Sequence, residues 1–74
     1  MDMRRLVGRN VRRFRRDAGM TQEELAVRAG FGQQYISDLE RGLENPTVVT
    51  PWELSQALGA TPVDLIMPDD EARV

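Results

Sequence analysis

Seventy-four residues, 41% hydrophobic, make one small domain. A chain this short buries only about 60% of the surface its unfolded form exposes, which argues against a large internal active site. Cysteine and histidine are both absent, excluding disulfide frameworks, thiolate or imidazole metal sites, and catalysis by either group. The net charge of −2 hides an asymmetry: residues 1–16 carry seven arginines against Asp2, while residues 17–74 carry three arginines against eleven acids. Such a dipolar surface can still bind a polyanion.

The twelve carboxylates are scattered along helical patterns, and none sits in an apolar setting that would retune it for acid–base work. No enzyme activity, metal, cofactor or small-molecule ligand is therefore expected. No apolar run approaches the ~20 residues that span a bilayer, and the opening "MDMRRLVGRN" lacks the apolar core of a signal peptide. A cytoplasmic protein without a membrane partner is expected.

In chain order, "MRRLVGRNVRRFRRDAG" places Met3, Val7, Val11, Phe14 and Ala18 on one side of a helical wheel, with Gly19 ready to end the helix. The second helix opens at "TQEE", where Thr21 as N-cap and Glu24 three residues on form a capping box. Leu25, Ala26 and Ala29 line its inner face, and Gly30 stops it. A third helix runs from Gly32 to about Arg41, with Tyr35, Ile36 and Leu39 inward and Gly42 as its stop.

"ENPT" makes a turn before a fourth helix that ends at "ALG". Two starts are open: Thr47 caps it with Pro51 tolerated late in the first turn, or Thr50 caps it with Pro51 at the first helical position and Glu53 closing a box. "ATPVDLI" adds a short fifth helix with Thr61 as cap and Pro62 opening it. Residues 68–74, "PDDEARV" with its leading proline, read as a polar tail expected to be disordered. No β-pattern or repeat appears, so the fold class is all-α.

Helix 2, a three-residue corner and helix 3 form a helix-turn-helix geometry over about residues 22–41. On the stretch "TQEELAVRAGFGQQYISDLERGLENPT" the chain resembles the phage repressor and Cro-type helix-turn-helix domain, over roughly residues 6–67. Several independent features coincide in that resemblance: Gln22 opening helix 2, small Ala26 at a close helix crossing, Gly30 in the corner, and Ile36 and Leu39 as inward anchors. It implies a compact five-helix bundle of the lambda-repressor type. Gly32 departs from the serine or threonine more usual at that cap, at a cost of about a few tenths of a kcal/mol, and it removes a hydroxyl that could meet a phosphate.

On an ideal wheel with Ile36 at zero, Ser37, Arg41, Gln34 and Asp38 span about 100° to 200°, and Gln33 lies near 60° in the first turn. A glutamine amide offers a donor and an acceptor side by side, matching N7 and N6 of adenine. By the family's pattern the start of helix 3 enters the major groove. Gln33 and Gln34 are then expected base readers, with Ser37 and Asp38 in the second turn and Asp38 able to accept from cytosine N4. The resemblance also implies that Gln22 binds a backbone phosphate and could brace Gln33. Arg41, Asn45 and Thr47 flank the groove as expected phosphate contacts, although Arg41 could simply serve the helix C-terminus.

The arginine run divides on the same kind of wheel. With Val11 at zero, Arg5, Arg9, Arg12, Arg13 and Arg16 fall at about 100° to 200°, a stripe that is either plainly solvated or close to phosphates. Arg15 falls near 40°, at the border of the apolar face, and Glu40 occupies a similar border on helix 3. In the family these matched positions form an inter-helix ion pair, which the resemblance implies here.

The resemblance therefore implies a sequence-specific regulator of double-stranded DNA, a repressor or an activator working without a cofactor, with repression the expected mode. The alternative is a protein-interaction module, such as an antitoxin or adaptor on the same scaffold. A two-fold operator read by a homodimer is expected, because one recognition helix reads too few base pairs. With no separate dimerisation domain, the contact is expected on helices 4 and 5, from Val49, Trp52, Gln56, Gly59, Ala60 and Val63. Trp52 lies on the outward arc of helix 4, opposite Leu54 and Leu58; the alternative is that it packs on helix 1 or 5 of its own chain.

Overall fold

A computed structural model describes residues 2–45 and 49–68, apart from the side chain of Val49. Five helices follow one another: α1 Met3–Asp17, α2 Gln22–Ala29, α3 Gln33–Glu40, α4 Val49–Leu58 and α5 Pro62–Ile66. No strand occurs among the described residues.

The starts and stops are set locally. Asp2 caps α1 by accepting from the Arg4 N–H, and Gly19, at φ 71°, turns the chain away after the helix. At α2 the Thr21 hydroxyl accepts from the Glu24 N–H at 3.1 Å while the Glu24 carboxylate accepts from the Thr21 N–H at 2.9 Å. This reciprocal box satisfies two donors that a helix start otherwise leaves unpaired. Thr61 and Asp64 repeat the arrangement at α5, with Pro62 as the first helical residue.

α4 resolves one of the open readings. Thr50 is its second residue, not its cap: the side chain is buried, with Oγ1 3.3 Å from the Tyr35 hydroxyl on α3. Pro51 therefore sits in the first turn, where a helix has no partner for a backbone N–H and a proline loses nothing. Thr47, the other candidate cap, lies outside the described residues.

Val11, Leu25, Ile36, Leu39, Leu54 and Leu65 have no exposed surface, so every helix supplies at least one side chain to a single core. Each such burial is worth ~1.5–3 kcal/mol before entropy is counted. Two residues assigned to the inner arc of α1 lie outside this core: Met3 is exposed, and Ala18 is the exposed C-cap. A wheel assigns a direction to each residue but not the length over which neighbours cover the helix, and Met3 and Ala18, at the two ends of α1, stay uncovered. Leu6, off the predicted arc, is buried because α1 packs against α4 and α5 as well as α3.

Two close contacts hold α1 in place. Gly8 is buried where α1 crosses the end of α3, and a Cβ there would overlap the Leu39 carbonyl oxygen. Asn10, also buried, donates from Nδ2 to the Leu65 carbonyl at 2.9 Å and the Met67 carbonyl at 2.8 Å, closing the end of α5 onto α1. Neither role shows in a hydrophobic pattern; the available signal was a lone glycine and a lone asparagine within the buried stretch of an otherwise arginine-rich helix.

Candidate nucleic-acid interface

The angle between α2 and α3 is set at Gly30, Phe31 and Gly32. Gly30 ends α2 in the left-handed region at φ 80°, a conformation that side chains other than hydrogen resist. The N–H groups of Gly30 and Phe31 both donate to the Ala26 carbonyl, at 3.0 and 2.9 Å. Phe31 stacks on Tyr35 with ring centroids 5.0 Å apart, packing the corner against the first turn of α3. Gly32 caps α3 without a side-chain hydrogen bond.

The corner leaves the beginning of α3 facing outward. Gln33 and Gln34, its first two residues, are both exposed. Gln34 is tied along its own helix, where Nε2 donates to Asp38 Oδ1 at 2.9 Å. Arg41, the exposed C-cap, approaches the same oxygen at 3.9 Å. Asp38 and Ser37 are half-buried, so the second turn of α3 is less open than the first. Asn45 is exposed beyond the helix, and Thr47 falls outside the described residues.

Behind this face lies a charged network. Arg15 Nε donates to Glu40 Oε2 at 2.6 Å and Nη2 to Oε1 at 3.0 Å, with the two side chains 11% and 3% exposed. Arg15 Nη1 also donates to the Met20 carbonyl at 2.8 Å, so one guanidinium fastens α1, the α1–α2 turn and α3. Its pKa is raised above the ordinary arginine value, chiefly by the hydrogen bonds to Glu40, with burial opposing and mutual attraction adding. Arginine's planar fork suits this two-point grip on a carboxylate.

Gln22 joins the same network. Its Nε2 donates to Glu40 Oε1 at 3.1 Å, and no hydrogen bond links it to Gln33, so the expected brace between those glutamines is replaced by one to Glu40. The physical reason is charge: a carboxylate is a stronger acceptor than a neutral amide. Gln22, the first residue of α2, is half-buried in this arrangement.

Trp52, Gln56, Gly59 and Val63 are exposed on α4, α5 and the turn between them, and Ala60 is half-buried against the core. Trp52 retains 55% of its surface and Val63 56%, so the indole is not packed away within its own chain. The Val49 side chain lies outside the described residues. On α1, Arg9, Arg12, Arg13 and Arg16, with Asp17, line an open hollow of about 330 Å³.

A short helix with an exposed polar start, fixed to a second helix by a three-residue glycine corner, is the geometry of a helix-turn-helix motif. The chain belongs to this family: the family model described as "Helix-turn-helix" matches residues 11–66. It is 61% identical over 71 residues to the uncharacterized HTH-type transcriptional regulator y4dJ of Sinorhizobium fredii, covering 96% of this chain and 92% of that one. Among solved structures, the hypothetical transcription factor NHTF from Neisseria matches with a TM-score of 0.90 at 33% identity, covering 97% of this chain and 83% of that one. The restriction-modification controller protein C.AhdI from Aeromonas hydrophila matches with a TM-score of 0.80 at 32% identity, covering 84% and 90%. The protein is a DNA-binding transcriptional regulator.

Proposed function

We propose that the protein is a sequence-specific repressor that binds a two-fold operator as a homodimer in the cytoplasm, with the start of α3 in the major groove. The observation that carries this reading is the exposure of two successive glutamines at the first two positions of α3, immediately past the corner. Each amide can meet an adenine with one donor and one acceptor. Gln33 and Gln34 are the base readers, Ser37 lies at the margin of the groove, and Asp38, expected from the sequence to read cytosine, has an oxygen already engaged by Gln34. Gln22, Arg41, Asn45 and Thr47 are the phosphate contacts that fix the register.

Repression requires only occupancy of the DNA, which this domain can supply through its own bulk. Dimerisation is supported by the exposed indole of Trp52 and the exposed Val63, with Gln56, Gly59, Ala60 and Val49 completing the contact. The outer face of α3 carries no exposed large apolar side chain among the described residues, which favours a polar nucleic-acid partner there over a protein partner.

Selection from random duplexes should return a two-fold motif with half-sites about one helical turn, ~34 Å, apart. On that site Gln34→Ala should cost ~1–3 kcal/mol and relax the preference at one position of each half-site. Equal loss on selected and random DNA would show that Gln34 does not read a base.

A further inference from the structure

We infer that Asp38 acts through Gln34: it is a positioning residue that sets which way round the Gln34 amide faces the groove, rather than a reader of its own base. The inference rests on the base-reading role of Gln34 proposed above and deepens it.

An amide side chain has two ends that a half-turn about its last bond exchanges, one donating and one accepting. Left alone on an exposed helix, Gln34 could present either order to a base pair. Asp38 sits one turn further along α3, and its Oδ1 accepts from Gln34 Nε2 at 2.9 Å. An ionised carboxylate has no hydrogen to give, so only Nε2 can face it, and Oε1 must point elsewhere. Arg41 Nη1 lies 3.9 Å from the same Oδ1, beyond hydrogen-bond distance but near enough to favour the negative charge there. The three side chains therefore form a row along one face of α3, at spacings of four and three residues, where helical neighbours meet.

This arrangement leaves the readout intact. Nε2 carries two hydrogens, and the bond to Asp38 uses one. The second N–H and Oε1 remain, side by side and in a fixed order, which is the pair that meets N7 and N6 of adenine. The carboxylate also lies half-buried beside the amide, where direct contact with the backbone would bring it against phosphates of the same sign. Its useful work is then orientation: it removes the wrong amide order before DNA arrives, so that the contact does not have to select it.

Asparagine at position 38 is the informative change, because it keeps the size while offering both a donor and an acceptor, so either Gln34 orientation is satisfied. The test measures binding of the wild type, Asp38→Asn, Gln34→Ala and the double variant to duplexes carrying each of the four base pairs at every position of the half-site, with thermal melts to verify folding. Asp38→Asn should lower the preference by about tenfold at the position that Gln34→Ala relaxes, within the ~5- to 150-fold that a bidentate contact commands. The double variant should discriminate no less than Gln34→Ala alone. Removing a negative charge will tighten binding to all sequences in parallel, which leaves the profile unmoved and so separates charge from orientation. A profile unchanged in Asp38→Asn overturns the inference, as does one altered at a different base pair, since Asp38 would then read its own base. If Gln34→Ala itself relaxes no position, the reading of α3 fails and takes this inference with it.

Discussion

Arg15 and Glu40, twenty-five residues apart, are joined by two hydrogen bonds of 2.6 and 3.0 Å in a setting nearly closed to water. The same carboxylate holds Gln22 at the start of α2. The pair thus connects the framework helix to both helices of the DNA-binding motif. Removing one partner strands the other charge, at a cost of ~3–5 kcal/mol for a buried pair. Arg15→Met and Glu40→Gln should each destabilise strongly, and the double variant should lose less than the sum of the two. Denaturant melts around the double-mutant cycle measure this, and strict additivity would mean the two groups are energetically independent.

Gly8 offers a test in which the sign itself decides. Glycine-to-alanine changes inside a helix ordinarily stabilise by ~1 kcal/mol. Here the added methyl would overlap the Leu39 carbonyl oxygen and press on that of Glu40, both backbone atoms with little room to yield. Gly8→Ala should therefore destabilise, by ~1–3 kcal/mol as overpacking does. A raised melting temperature would show that α1 and α3 are not packed this closely.

Trp52 bears on assembly. A large aromatic left more than half exposed on α4, with Val63 of the adjoining helix α5 also exposed, is suited to a symmetric contact. Trp52→Ala should weaken self-association by about 2 kcal/mol and lower operator affinity with it, while non-specific affinity per monomer stays nearly constant. Sedimentation of both proteins, free and on operator DNA, reads the outcome. An unchanged dimer in the variant removes Trp52 from the interface, and a wild type that stays monomeric even on the operator removes the dimer.

Acid should loosen the start of α2. The Thr21 N–H and then the Thr21 hydroxyl hold the Glu24 carboxyl below its usual pKa, with desolvation opposing and a smaller pull from Arg28 adding to it. A lowered folded-state pKa means the folded chain binds fewer protons, so the stabilisation is present above the unfolded pKa and fades as pH falls through the folded one. Melting temperatures followed downward from neutral pH into the carboxylate range near ~4 should fall less steeply for Glu24→Gln than for the wild type. Parallel curves would show that ionised Glu24 adds nothing to the cap.

Most of the fold was legible because its punctuation is local. Thr21 and Glu24, Gly30, and Thr61 with Pro62 act over three or four residues, within reach of hydrogen bonds and backbone sterics that neighbouring side chains alone determine. The inward faces of α2 and α3 follow for the same reason, since Leu25, Ala26, Ile36 and Leu39 repeat at helical spacing and are buried. The exposed start of α3 is equally a matter of phase: once Ile36 and Leu39 point inward, Gln34 points out.

Tertiary structure decided what depends on distance between segments. Whether Thr50 caps α4 or lies within it turns on Tyr35, fifteen residues away, and whether Met3 and Ala18 are covered turns on where the other helices end. Gly8 and Asn10 acquire their roles only where α1 meets the Leu39 carbonyl and the end of α5. Gln22 turns to Glu40, not Gln33, because folding delivers a carboxylate to within 3.1 Å of its amide. Helical periodicity states which way a side chain points; which acceptor, carbonyl or ring stands in that direction is settled only when the helices pack.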